Sequence, residues 1–495
     1  MDQILLVVVI VVPVTGVLIS LAVGGRHAER IALLLMPIGL GVAIATAIAV
    51  WRAGKTLVYD LGGWSPPLGI ALRADGFSAA MLVTTAIVIS AVGYFARANF
   101  ATPSDVPEAR APLAFWTLLL ALWAALNCVF IGGDLFNLYV GLELLTFAAV
   151  PLVCLDGRRE TLAAALRYLL FALFGSALFL LGAALFYGAY GTLDIVLLSR
   201  RTHGELAAFI AAALITAGLS AKSALFPLHV WLPPAHAGAP AAASAVLSAL
   251  VVKASFFMIV RLWFNAMPAL ANSAAAQILA ALGAAAILFG SILALRQMRL
   301  KLLIAYSTVA QIGYLFLMFP LAAGLHPWSI PAWTGGVMQI LSHAFAKAAM
   351  FLAAGLIAEK LGHDRIPDLR GVAAALPVAL FAFGIGGVSL IGLPPSAGFV
   401  AKWLLLTAAL ESGQWWWALA ILAGGLLTAG YVFRVLFLAL ANRTEPIKFG
   451  KPMSRKREAA ALALALCALA LGLAPPGFFN LLQIGRPAAG MAALQ

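Results

Sequence analysis

The stretch Gly218-Leu-Ser-Ala-Lys-Ser-Ala-Leu-Phe-Pro-Leu-His-Val-Trp-Leu-Pro-Pro-Ala-His-Ala-Gly-Ala-Pro240 decides how this chain is read. It opens as an apolar helix carrying Lys222, then meets Pro227, Pro233, Pro234 and Pro240. Proline removes a backbone donor and clashes with the preceding turn, so the helix has to break here. In lipid every freed backbone group needs a partner, so a break survives only inside protein or beside water. A lysine beside such a break is a functional-site hypothesis by default.

The surrounding composition supplies the membrane. Of 495 residues, 64% are hydrophobic and 10% charged, with a mean hydropathy of +1.05. Soluble domains carry about 25% charged residues, so the chain reads as an all-α integral membrane protein. Asp2 is the only early charge, and without a cationic leader Ile4–Val23 is expected to be a retained span rather than a signal peptide. Cys128, Cys154 and Cys467 stand alone in apolar segments, which gives no basis for an iron–sulfur or zinc site. No G-x-x-x-x-G-K-[ST] or G-x-G-x-x-G turn is present, so nucleotide chemistry is not expected. The net charge of +13 follows the loops rather than a soluble face, which argues against nucleic acid. Neither cofactor nor metal is expected.

A membrane helix needs about 20 apolar residues. That criterion gives fourteen spans: 3–23, 31–51, 76–96, 112–131, 134–155, 161–188, 205–231, 239–264, 273–295, 301–323, 331–358, 374–411, 414–440 and 457–478. Span seven is the broken one. Span twelve is too long for one crossing and holds Gly392-Leu-Pro-Pro-Ser-Ala-Gly398 at its middle, so two half-helices are expected there as well. The two breaks lie five spans apart, an odd number, which makes spans 4–8 and 9–13 candidates for inverted five-helix repeats. The whole chain is then one membrane domain, 1–495: three N-terminal helices (1–100), a first repeat (112–264), a second (273–440) and a last helix (457–478).

Lysine and arginine set the orientation. Loops after odd-numbered spans hold eighteen of them, among them Arg26, Arg158, Arg299, Arg443, Lys448 and Lys451. Loops after even-numbered spans and the C-terminal tail hold six. The odd loops are therefore expected in the cytoplasm and both termini outside, with the cell inner (plasma) membrane as location. Seven basic residues remain within spans: Arg167, Lys222, Lys253, Arg261, Lys347, Lys402 and Arg434. The three arginines lie nearer helix ends and are expected to snorkel. The tryptophans Trp415, Trp416 and Trp417 read as an interfacial belt.

Glu143 is the one carboxylate placed clearly inside a span, and Lys222 is its most economical partner. An isolated charge at mid-bilayer costs roughly 2.5–3.5 kcal/mol even on the lenient insertion scale. A structural ion pair is the plain alternative. The pair has company, however: Lys253 on span eight, His343 and Lys347 one helical turn apart on span eleven, and Lys402 on span twelve. Burial lowers a lysine pKa and a nearby carboxylate raises it, so moving Glu143 relative to Lys222 releases or captures a proton. Each group alone has a bland reading: His343 as a satisfied core histidine, Lys347 as the partner of a helix-end carbonyl. His229 and His236, flanking the first break, are expected to stabilise the loop. A row of lysines across several spans favours a proton relay.

At these residues the sequence resembles the antiporter-like membrane subunits shared by respiratory complex I, membrane-bound hydrogenases and Mrp-type cation/proton antiporters. The matching runs are Gly133–Glu143, Ala221–His236, Lys301–Gly313, Ser342–Phe351 and Gly392–Lys402, in the family's order. The resemblance implies fourteen helices, two inverted repeats and a central hydrophilic axis. It also implies Glu143 and Lys222 as the coupled pair, Lys253 and His343 as central relay and Lys402 as the distal exit group. Pro234 stands where the family usually has an aspartate, and Ala241–Ala243 where it has Ser/Pro-rich residues. The chain is expected to end about twenty residues after span fourteen, without the long lateral helix of the largest complex I subunit of this kind. With Lys402 in place of a glutamate, it looks most similar to the D-type subunit of Mrp antiporters. A proton-pumping subunit of an NADH:quinone oxidoreductase or hydrogenase is the alternative, and a non-conducting scaffold is the third. The partners implied are other membrane subunits of a hetero-oligomeric complex, protons, Na⁺ or another monovalent cation, and the lipid bilayer.

Overall fold

The computed structural model describes residues 2–103, 105–270, 273–442 and 454–486. Arg443, Lys448 and Lys451, used above for orientation, lie outside the described residues. In chain order the helices are α1 (Leu5–Val23), α2 (His27–Ala53), α3 (Gly76–Ala96), α4 (Arg110–Ile131), α5 (Leu135–Val153), α6 (Arg159–Tyr190), α7 (Ile195–Arg201), α8 (Leu206–Lys222) and α9 (Leu232–Gly238). They continue with α10 (Ala241–Ala266), α11 (Ser273–Arg296), α12 (Leu300–Ala322) and α13 (Ser329–Leu361). The last five are α14 (Pro377–Ile391), α15 (Ala397–Glu411), α16 (Trp415–Leu440), α17 (Arg455–Leu473) and α18 (Pro476–Gln483).

Among the described residues eleven helices are long and apolar enough to cross a membrane, or twelve when α17 and α18, bent by 88°, are taken together. The expected spans outside that count are seven and twelve. Each is interrupted: α8 stops at Lys222, and α14 and α15 are separated by Gly392–Ser396. The halves are 17, 15 and 15 residues long, too short to pass as single crossings. The interior is built mainly by α10, α12 and α13, whereas α1, α2 and α16 turn most of their surface outward.

One feature departs from a purely helical reading, and one short helix lies where the sequence suggested only a break. A two-stranded antiparallel hairpin, β1 (Leu57–Asp60) on β2 (Ala71–Ala74), follows α2. Four-residue strands are too short for period-two alternation to stand out in the sequence. The helix α9 begins at Leu232 with Pro233 and Pro234 in its first turn. Proline is favoured there because that turn has no use for its missing N–H; the prolines that break α8 therefore also start the next helix.

Candidate functional site

The first break is closed by the chain itself. Ala224 adopts φ 55°, turning the backbone out of the helix. The amide of Leu225 donates to the Ser220 carbonyl at 3.0 Å, and the Trp231 indole N–H donates to the Ala221 carbonyl, also at 3.0 Å. The carbonyls freed at the end of α8 thus keep partners without water. Lys222 occupies the last helical position, where the negative end of the helix favours a cation.

Glu143 meets it from α5. Asp134 caps that helix by accepting from the amides of Phe136 and Asn137 at 2.8 and 3.1 Å. Glu143 Oε1 then accepts from Lys222 Nζ at 2.9 Å, and Lys222 donates again to Thr146 Oγ1 at 3.1 Å. The Ser176 hydroxyl on α6 donates to the same glutamate oxygen. Two glycines allow this gathering. A Cβ on Gly175 would stand 2.6 Å from the Gly218 carbonyl oxygen, and one on Gly218 would stand 2.3 Å from that of Gly175. Small residues at this crossing let α6 and α8 touch backbone to backbone. The side chains of Lys222 and Glu143 are only 4% and 15% exposed.

Beyond the pair lies a cavity of about 10 Å³ lined by Lys222, Thr146, Tyr168 and, from α10, Val251 and Ser255. Lys253, on the same helix between these two residues, is fully buried. Lys253 donates to the carbonyl of Ser248, five residues back, within reach because Leu247–Val251 forms a π-helical turn. The Ser248 hydroxyl lies 2.8 Å from that of Thr308 on α12. On α13, Lys347 donates to the Ile304 carbonyl at 2.9 Å and to the Ser307 hydroxyl. His343, fully buried, makes no hydrogen bond through either ring nitrogen among the described residues, and Lys253, Lys347 and Lys402 all lie within its electrostatic range.

The second break holds Lys402. The carbonyls of Leu390 and Ile391, freed where α14 stops, accept from its Nζ at 2.6 and 3.2 Å. Nζ also sits 4.1 Å from the centre of the Tyr314 ring, a cation–π contact. Gly392 at φ 90° makes the turn. A Cβ on Gly398 would lie 1.8 Å from the Ser389 carbonyl oxygen, so only glycine lets α15 start this close to the end of α14.

The six predicted residues fall into one pair and a central group, with Lys402 at the group's edge. Two expectations need correction. His236 is not a loop residue: it lies fully buried on α9, its ring 4.7 Å from that of Phe351, within electrostatic range of Lys253 and Lys347. The proline pair before it, taken as a helix start, is the signal in the sequence. Arg261 does not snorkel. It grips Asp75 through two bonds of 2.5 and 2.6 Å and donates to Ser78 at 2.8 Å, tying α10 to α3. Lys347 does reach a helix carbonyl, the bland reading, and also lies within electrostatic range of Lys253. Arg434 reaches the carbonyls of Leu295 and Gln297 at the end of α11, and Arg167 is exposed.

Residues 132–428, which contain both breaks and every residue of the row, match the family described as NADH:quinone oxidoreductase/Mrp antiporter, transmembrane. The chain belongs to that family. Its antiporter-like relatives come from more than one machine. The NADH-quinone oxidoreductase N subunit of Desulforudis audaxviator is 34% identical over 494 residues, covering 94% of this chain and 96% of that one. The Na(+)/H(+) antiporter D-type subunit of Alkalihalophilus pseudofirmus is 32% identical over 405 residues, covering 80% and 78%. A chain from the Mrp complex of Dietzia sp. DQ12-45-1b shares the antiporter-like fold with a TM-score of 0.87 at 26% identity, covering 97% of this chain and 96% of that chain.

Proposed function

We propose that this chain is a proton-translocating subunit of a multisubunit membrane complex, with Glu143, Lys222, Lys253, His343, Lys347 and Lys402 as its relay. One observation carries the reading: the ion pair of Lys222 with Glu143 stands at the head of three buried lysines whose hydrogen bonds, among the described residues, go to carbonyl and hydroxyl oxygens rather than to carboxylates. Lysines kept only for packing would be matched by carboxylates or replaced by apolar residues, a change that is often neutral or stabilising. When Glu143 moves away, the Lys222 ammonium loses its counter-charge and gives up a proton; when it returns, the amine recaptures one. The small cavity at Ser255 has room for about one water molecule, which would pass that proton toward Lys253. From there the proton moves between amines, with the unpartnered ring nitrogens of His343 as the intermediate acceptor and donor.

The first reading of the machine is a cation/proton antiporter of the Mrp type, with this chain in the place of its D-type subunit; Lys402 at the second break supports it. The second is a proton-pumping subunit of a complex I-like or hydrogenase complex, supported by the near full-length match to an N subunit. Both place it beside other membrane subunits in the cell inner (plasma) membrane. They also share inverted repeats over spans 4–8 and 9–13, arginine-rich odd loops in the cytoplasm and both termini outside. A non-conducting scaffold is the third reading. Vesicles carrying the assembled complex with Glu143→Gln or Lys222→Ala separate conduction from scaffolding: the pH gradient is lost in both variants, and unchanged transport in both overturns the relay. Subunits co-purifying with the tagged chain distinguish the two machines.

A further inference from the structure

Where the first turn of α2, the last turn of α3 and the first turn of α17 meet, they enclose a cavity of about 530 Å³ with Arg26, Arg30, Arg97, Lys456 and Arg457 in its wall. Glu29 is the one carboxylate lining it. Arg97 bonds Glu29 at 2.8 Å, and Arg457 bonds Glu359 at 2.9 and 2.7 Å. Arg30 and Lys456 make no ion pair among the described residues. Arg26 donates to the Val106 carbonyl at 3.2 Å. The floor is different. Leu33 and Tyr94 line it, and Tyr94 is 44% exposed at the helix end, where an interfacial tyrosine sits. Directly below, α2 presents Leu34 and Ile38 outward, 65% and 46% exposed, as a helix does against acyl chains.

We propose that this cavity binds the phosphate headgroup of an anionic phospholipid, its glycerol beside Leu33 and its chains along the outer face of α2. A solvated basic face spreads its charges apart; here they converge on one concave space in which two cations lack counter-charge. Arginine recognises phosphate oxygens through paired N–H donors, and Lys456 adds a point charge. Basic pockets between membrane helices hold headgroups for this reason. A soluble phosphate ester shares the headgroup chemistry but gains nothing from the apolar floor.

The complex containing this chain, purified in mild detergent and delipidated, is titrated with phosphatidylglycerol, phosphatidylcholine or glycerol 3-phosphate, and lipid bound to this subunit is counted by native mass spectrometry. Phosphatidylglycerol is expected to bind in preference to phosphatidylcholine. In the double variant Arg30→Gln/Lys456→Gln its affinity falls roughly thirty-fold, about five- to six-fold for each cation removed. Arg52→Gln/Lys55→Gln, at the other end of α2, keeps it. Equal binding by Arg30→Gln/Lys456→Gln, an equal loss in Arg52→Gln/Lys55→Gln, or displacement by equimolar glycerol 3-phosphate overturns the lipid site. All four substitutions fall on exposed side chains, so folding is retained.

Discussion

The two helix breaks hold a lysine each and satisfy it in opposite ways. At the first, Lys222 ends α8 and its charge is answered from α5, by Glu143. At the second, Lys402 lies beyond the break and is answered by the carbonyls of Leu390 and Ile391, which belong to the break itself. One lysine depends on a second element; the other is held by its own span. Under the proposed relay, that difference gives control to the first break and a constant affinity for a cation to the second.

Glu143→Gln attacks that contrast where it is strongest. Removing one partner of a buried pair costs about 3–5 kcal/mol, so coupled proton transport in vesicles falls to background while the complex still assembles. The double variant Glu143→Gln/Lys222→Gln is expected to be no worse than either single one, as double-mutant logic requires of a unit. Lys402→Met is milder. It removes a cation held by neutral groups, and transport drops about a hundredfold, the low end for the loss of one proton-transfer group. Gly218→Leu tests the crossing that sets the first geometry: a side chain here meets the Gly175 carbonyl oxygen. Overpacking of this kind costs about 1–3 kcal/mol, read as a lower thermal midpoint with transport reduced in step. Thr146→Val is the smallest change. It deletes one hydrogen bond to Lys222 and leaves Glu143 in place, for a loss of about 1 kcal/mol, seen as a several-fold lower transport rate. Should Lys402→Met prove as severe as Glu143→Gln, the proposed division of labour fails.

The breaks are legible in the sequence because proline acts locally, and Glu143 is legible because an intramembrane carboxylate is costly wherever it lies. What surrounds them is not. Ser176 reaches Glu143 from another helix, and nothing in its neighbourhood in the sequence sets it apart from other serines. Asp75 and Arg261 sit at two helix ends far apart in the chain, so each reads as an ordinary terminal charge until the fold closes them on one another. His236 is misplaced as long as its prolines count only as breakers. The acceptor of Lys253 is hidden more deeply, since a π-helical turn has no composition of its own.

That turn has a consequence for insertions and deletions. A π-turn spends one residue more than an α-turn on the same rise, as though an extra residue had been spliced into α10. Deleting Ala249 would let Leu247–Val251 relax to regular helix, and because the turn had absorbed the extra residue, the segments on either side would keep nearly their present facing. Lys253 would then lose the present placing of the Ser248 carbonyl, which lies within the turn, whereas Arg261 would keep Asp75. The one extra residue in this helix thus serves the middle of the lysine row and leaves the clasp on α3 as it is.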